Sequence, residues 1–207
     1  DLGLARSDVD LLVARTEGWP AGIYLAALSL AGTADRSALV RAFDGTSTHI
    51  VDFLAGEVLA AHDPELQTFM LRTSVLERLC APLCGAVLDQ PGSTAALDEL
   101  ARTNLFLLPL DDRGGWFRFH HLFAQILRVE LERREPELVR ELHRRAFEWH
   151  AQSGTADEAI RHAVSAGAFE EAGGLITETW VHYANAGRTA TVQDWLRRFP
   201  AEIVDGD

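Results

Sequence analysis

Two adjacent histidines, His120 and His121, occupy the most informative stretch of the sequence. They follow an apolar run at residues 105–110, a glycine-containing break, and a short aromatic run at residues 116–119. This order predicts a β-hairpin. Apolar residues recur at helical spacing from Leu122 onward, which predicts a helix. The histidines therefore stand where a strand passes into a helix, a position at which a side chain can meet a ligand phosphate.

Arg118 and His120 lie two residues apart on one face of the predicted strand. The arginine has the reach to bind a phosphate, and equally to pair with a surface carboxylate. His120 also has an ordinary interpretation as a capping or core residue. Because neighbouring side chains on a helix diverge by about 100°, we expect His120 and His121 to face different sites and one of them to be structural.

The charge and composition exclude several functions. The chain has 207 residues, 47% of them apolar, with 31 acidic against 19 basic residues and a formal charge of −12. Every basic residue is arginine, so the lysine that a phosphate-binding P-loop requires is missing. Between Arg128 and Arg145 the arginines alternate with glutamates, which is typical of a solvated helix face. We therefore expect no direct DNA binding, no bound nucleotide and no catalysis by these residues alone.

The other potential ligands do not form a metal motif. Cys80 and Cys84 share one helical face but give only two sulfur ligands, so we expect buried, unpaired cysteines. His143, His150 and His162 lack a ligand spacing, and we interpret them as partly buried packing residues with no metal. No apolar run approaches the about 20 residues of a membrane span, and no signal peptide is evident, so we expect a cytoplasmic location and no membrane contact.

The pattern of apolar residues predicts a mainly α protein with one small β-hairpin. Ser7 is expected to cap a first helix that ends before Gly18, and Pro20 to begin a second. Glycines at 154, 167 and 187 separate four later helices, as in antiparallel helical repeats. The remaining predicted helices are residues 48–59, 63–70, 82–88, 94–103, 121 onward, 137–152, 156–165, 169–185 and 189–199. Helices followed by a two-stranded wing describe a winged-helix domain.

Three stretches carry a resemblance to a known family. Phe119-His120-His121-Leu122 resembles the Met-His-Asp-Leu signature that closes the winged-helix domain of STAND-class signal-transduction ATPases, with His121 in place of Asp. Three segments resemble the large LuxR-type ATP-dependent transcriptional regulators of the maltose-activator kind: F-R-F-H-H-L-F at 117–123, L-H-R-R-A-F-E-W-H at 142–150 and E-A-I-R-H-A-V-S-A-G at 158–167.

This resemblance implies a domain order and a partner set. Residues 1–44 would be the helical domain that follows an absent nucleotide-binding domain, 45–135 the winged helix, and 136–207 the start of a TPR-like sensor superhelix. The chain would then be an internal fragment of a slow ATPase switch. Its partners would be its own nucleotide-binding domain, a C-terminal DNA-binding domain, and a small-molecule or protein inducer.

The resemblance also assigns nucleotide-binding roles. In that family the first histidine of the signature contacts the β-phosphate of ADP, which by position is His120. Gly18-Trp19-Pro20 resembles the Gly-x-Pro motif whose proline packs near adenine; a helix stop followed by a helix start is its ordinary interpretation. The expected site residues are Gly18, Pro20, Arg118 and His120, with ADP or ATP bound only in the full-length protein.

Two other functions remain open. Residues 137–199 are also consistent with an independent helical-repeat module that binds a protein partner. A winged helix also admits DNA binding, which a salt-dependent affinity for duplex DNA would reveal. The favoured hypothesis is a regulatory fragment whose winged helix latches the ADP-bound off state.

Overall fold

The structure is a computed structural model that describes residues 4–16, 18, 20–31, 36–42, 59, 62–103, 107–112, 114–200 and 203. The described part is mainly helical with one small antiparallel hairpin, which confirms the predicted fold class. The helices are α1 Arg6–Thr16, α2 Pro20–Ala31, α3 Arg36–Ala42, α4 Pro64–Thr73, α5 Ala81–Leu88, α6 Ser93–Thr103, α7 His121–Arg134, α8 Pro136–Gln152, α9 Ala156–Ala166, α10 Phe169–Asn185 and α11 Thr189–Arg197; the strands are β1 Leu107–Pro109 and β2 Phe117–Phe119.

Helices α1, α2 and α3 pack against one another at the start of the chain. The prediction that Ser7 caps α1 was wrong, because the amides of Asp8 and Val9 already donate to the carbonyl of Ala5. Asp8 is instead buried and accepts a hydrogen bond of 2.7 Å from the hydroxyl of Ser37 on α3. This side-chain contact ties the first helix to the third. The helix predicted at 48–59 lies outside the described residues except for Leu59.

The hairpin sits between α6 and α7 and has the register Leu107↔Phe119, Leu108↔Arg118 and Pro109↔Phe117. Leu79, in the connection between α4 and α5, adds a third short segment. Its amide donates to the carbonyl of Phe117 at 2.8 Å, and the amide of Phe117 donates back at 2.9 Å. At the tip, the amide of Gly115 donates to the carboxylate of Asp111 at 2.9 Å. Helices with a small sheet of this kind are typical of winged-helix domains.

Helices α8 to α11 follow as hairpins joined by short turns. The three predicted glycines occupy these turns with φ between 73° and 79°, a backbone region that favours glycine. After α9, the amides of Gly167 and Ala168 donate to the carbonyls of Val164 and Ala163, which closes the end of that helix. Local turn chemistry thus fixes where each helix of this array ends.

Buried side chains form two clusters in the described part of the chain. The larger begins at Leu12, passes through α4 to α7 and continues to Ala146 on α8. The smaller joins α9, α10 and α11 around Trp195, whose indole N–H donates to the carboxylate of Asp157 at 2.5 Å. The larger cluster is continuous across residue 135, the boundary predicted between winged helix and repeats.

Two further contacts hold α8 against the winged-helix part. The guanidinium of Arg145 donates to the carbonyl of Val87 at 3.2 Å, and the ring of Trp149 meets that of Trp116 edge to face with centroids 6.5 Å apart. Among the described residues, no helix is both long enough and apolar enough to span a bilayer.

Candidate functional site

His120 is the residue immediately before α7, with an extended backbone at φ −54° and ψ 134°. Its carbonyl accepts the first helical hydrogen bond, from the amide of Ala124 at 2.9 Å. The side chain is only 5% exposed. The position therefore lies at the positive end of a helix, where anions are favoured, and its burial also suits the ordinary interpretation as a core residue.

The imidazoles of His120 and His121 stack, with ring centroids 4.9 Å apart and planes inclined by 28°. The expectation that these side chains diverge was wrong. That argument assumed that both residues are helical, whereas His120 precedes the helix with an extended backbone. The two histidines therefore form one unit, and a substitution of either ring removes a contact from the other.

Arg118 lies in the middle of β2, paired with Leu108 and half-buried. Its guanidinium lies near the hairpin backbone, with an N–H at 3.5 Å from the carbonyl of Phe119. Phe117 and Phe119 point into the core on the other face of the strand. Arg118 and His120 thus lie two residues apart in the chain at the β2–α7 junction, Arg118 within the strand and His120 after its end.

Gly18 and Pro20 lie together in the connection between α1 and α2. Gly18 has φ of 72° and its amide donates to the carbonyl of Val13 at 3.0 Å, so it ends α1. Pro20 is the first residue of α2 and is exposed. Gly18 and Pro20 adjoin α1 and α2, which pack on each other and on α3. Arg118 and His120 instead adjoin the hairpin, in which β2 pairs with β1. The nucleotide-binding roles of all four residues stay predictions.

The structure brings His143, His150 and His162 together between α8 and α9. The Nδ1 atoms of His143 and His162 lie 2.8 Å apart and share one hydrogen bond, in which one ring donates and the other accepts. The rings of His150 and His162 stack with their centroids 5.5 Å apart. Burial lowers the pKa of His162 to about 2 and that of His143 to about 4. Spacing along α8 placed His143 and His150 on one face, but nothing in the sequence signalled that His162 joins them.

In the described part of the chain, positively charged groups act on this trio. No group of three or more potential ligands there has the arrangement that a metal requires. The charges of Arg128 and Arg161 also act on His162 and lower its pKa further. The cluster is therefore a neutral, buried contact between the helices that lies in a positive electrostatic environment.

The fold and the hairpin–helix junction together define a winged-helix domain followed by helical repeats. Residues 55–139 match the family model of the MalT winged helix domain. Over these residues the chain is therefore similar to the winged helix domain of MalT.

Related proteins share more than this domain. The chain is 37% identical over 155 residues, 72% of its length, to the HTH-type transcriptional regulator MalT of Klebsiella pneumoniae, of which it covers 17%. It is 28% identical over 192 residues to MalT of Vibrio parahaemolyticus, covering 91% of this chain and 21% of that protein. It is also 38% identical over 203 residues to the serine/threonine-protein kinase PknK of Mycobacterium tuberculosis, covering 98% of this chain and 18% of the kinase. The chain thus spans about a fifth of the length of these relatives.

Proposed function

We propose that the chain is the regulatory part of an ATP/ADP-switched transcriptional regulator. The winged helix latches the ADP-bound off state, and the repeats connect it to an inducer sensor. The observation that carries this proposal is the similarity of residues 55–139 to the MalT winged helix domain, within which His120 stands at the N-terminus of α7. The nucleotide-binding and DNA-binding domains would belong to the full-length protein.

The donor set at the β2–α7 junction suits a diphosphate. ADP would bring two phosphates whose negative charge is stabilised by cations and by the positive end of a helix. His120 would donate an N–H to the β-phosphate and Arg118 would supply positive charge beside it. Gly18 and Pro20 would form part of the adenine end, with the proline ring offering a flat surface that lacks a competing N–H.

The test is a comparison of two alanine variants in the full-length regulator. A charge-assisted hydrogen bond contributes about 1.5–3 kcal/mol, so His120→Ala is expected to speed ADP release by about tenfold to a hundredfold and to raise basal transcription without inducer. His121→Ala, which removes the ring stacked on His120, is expected to lower stability and to change ADP release less than His120→Ala does.

The control is His182→Ala, at an exposed histidine on α10. ADP dissociation, basal reporter output and melting temperature are measured for all three variants. Wild-type ADP release and basal activity in His120→Ala would return this residue to a purely structural role and remove the latch from the proposal.

A second function is favoured by the similarity to PknK. A kinase and transcription regulators share nearly this whole stretch, although their printed names describe different activities. This supports an interaction module that joins different effectors to a common sensor. Partner binding by the chain that is independent of ADP and ATP, and unaffected by His120→Ala, would favour the module over the switch.

A further inference from the structure

A cavity of about 240 Å³ lies where the winged-helix part meets the repeats. Four elements contribute to it: the α4–α5 connection, α7, α8 and α9, together with one residue after α11. Its walls carry both charged and apolar side chains, among them Arg128, Arg161, Leu131 and Val139. Neither Arg118 nor His120 takes part, so the cavity is separate from the hairpin–helix junction.

Arg128 is the central charge of this cavity. Its Nε–H donates to the carbonyl of Ser74 at 2.7 Å, and within the described residues its guanidinium makes no ion pair with a carboxylate. Burial lowers its pKa, as expected for a cation that is removed from water without a negative partner. A partly buried cation of this kind is costly unless an anion compensates it.

The other two arginines of the wall have carboxylate partners of their own. Arg161 pairs with Glu77, whose side chain is 61% exposed, while Glu132 is exposed. Arg198 pairs with Asp194 and is 42% exposed. Within the described residues, Arg128 is thus the arginine of this wall whose guanidinium no ion pair meets, although Glu132 lies one helical turn further along α7.

His143 and His162 make the charge that lines the cavity depend on pH. They are neutral when the cavity holds only solvent, since burial and the charges of Arg128 and Arg161 disfavour their protonation. The same positive environment opposes binding of a metal cation by these imidazoles. An anion would reverse this effect by favouring protonation of one of the two rings, whose Nδ1–H would donate to the other ring while its Nε2–H could donate to the anion.

We propose that this cavity binds a small phosphate-bearing ligand. Arg128, Arg161 and the imidazole of His143 or His162 would hold the phosphate, and Val75, Leu131 and Val139 would contact its apolar part. A volume of about 240 Å³ is below the about 300–1,000 Å³ of pockets that enclose drug-sized molecules, which favours a ligand such as a phosphorylated sugar or small acid. The ligand would connect α7 with α9 and so stiffen the junction between winged helix and repeats.

The probes are inorganic phosphate and pyrophosphate, with citrate as a multivalent carboxylate. Calorimetry and thermal melts are run on the 207-residue chain at pH 6 and pH 8. We expect pyrophosphate to raise the melting temperature and to bind more tightly at pH 6. Loss of the Arg128 donors is expected to weaken binding by about tenfold to a hundredfold in Arg128→Gln, with partial recovery in Arg128→Lys.

Arg140→Gln is the matched control, because Arg140 is an exposed arginine on α8 that does not line the cavity. It is expected to bind pyrophosphate like the unmodified chain. Equal losses of affinity for pyrophosphate in Arg128→Gln and Arg140→Gln would mean that the probe responds to the net charge of the chain and not to this cavity, and would overturn the proposal. So would the absence of binding to the unmodified chain, or binding of citrate without binding of either phosphate probe.

Discussion

Acidification is expected to destabilise this protein through its buried histidines. Burial lowers the pKa of His143 to about 4 and that of His162 to about 2, whereas an unfolded chain has histidines near 6.5. The unfolded chain therefore binds more protons as the pH falls below 6.5. Stability is retained above that pH and is lost progressively below it, with His150, whose pKa is also lowered by burial, acting in the same direction.

The size of this loss follows from proton linkage. Each such histidine costs about 1.4 kcal/mol for one pH unit below 6.5, so moving from pH 7.5 to pH 5.5 removes about 2.7 kcal/mol through His143 and His162 together. Carboxylates titrate largely below this window and contribute little to the difference. A loss of this size is a substantial fraction of the about 5–15 kcal/mol that stabilises typical domains.

Urea unfolding followed by tryptophan fluorescence measures this loss directly, in Bis-tris and Tris buffers without phosphate or sulfate. The double variant His143→Gln/His162→Gln is expected to lose much less stability between the two pH values, whatever its absolute stability. His182→Gln, at an exposed position, should keep the full pH dependence. An unchanged pH dependence in the double variant, or stability that rises on acidification, would refute the assignment.

Three further outcomes follow from burial and charge. Trp195→Ala should cost about 3–5 kcal/mol of unfolding free energy because the indole is 1% exposed, whereas Leu196→Ala, at a side chain 50% exposed, should cost far less in the same urea titration. Burial raises the pKa of Cys84 to about 12, so this thiol should react with Ellman's reagent only at the rate of opening, and rapid native-state labelling would contradict its burial. The chain should give no sequence-selective shift of duplex DNA at physiological salt, and a salt-steep, selective complex would instead establish the DNA-binding winged helix.

Sequence alone predicted the elements whose boundaries are set locally. The helix at 169–185 was predicted with its observed limits, because an alanine–glycine turn marks each of its ends. Helix α3 was missed, since seven residues are too few to show a helical period and its contact with α1, through Ser37 and Asp8, is tertiary. The bridge of Leu79 to the hairpin was missed because a single residue has no periodicity.

The candidate sites show the same division between local and tertiary signals. The sequence located His120 at a strand-to-helix junction, because a glycine break and an apolar repeat bracket it. It did not predict the stacking of His120 on His121, which depends on the backbone angles of one residue. Neither the histidine trio nor the cavity around Arg128 was foreseeable, since the trio forms where α9 packs on α8 and the cavity is lined by residues of both these helices and of α7.

Helix α8 can act as a lever arm. Its 17 residues span about 25 Å at a rise of about 1.5 Å per residue. Because Arg145 and Trp149 hold it on the winged-helix part, and Leu142 and Ala146 belong to the same core, a rotation of that part carries α8 with it. A turn of about 10° at one end displaces the other by about 4 Å over that length. A small rotation of the winged-helix part would thus displace the repeats by several ångström, and a displacement of the repeats would in turn rotate the winged-helix part.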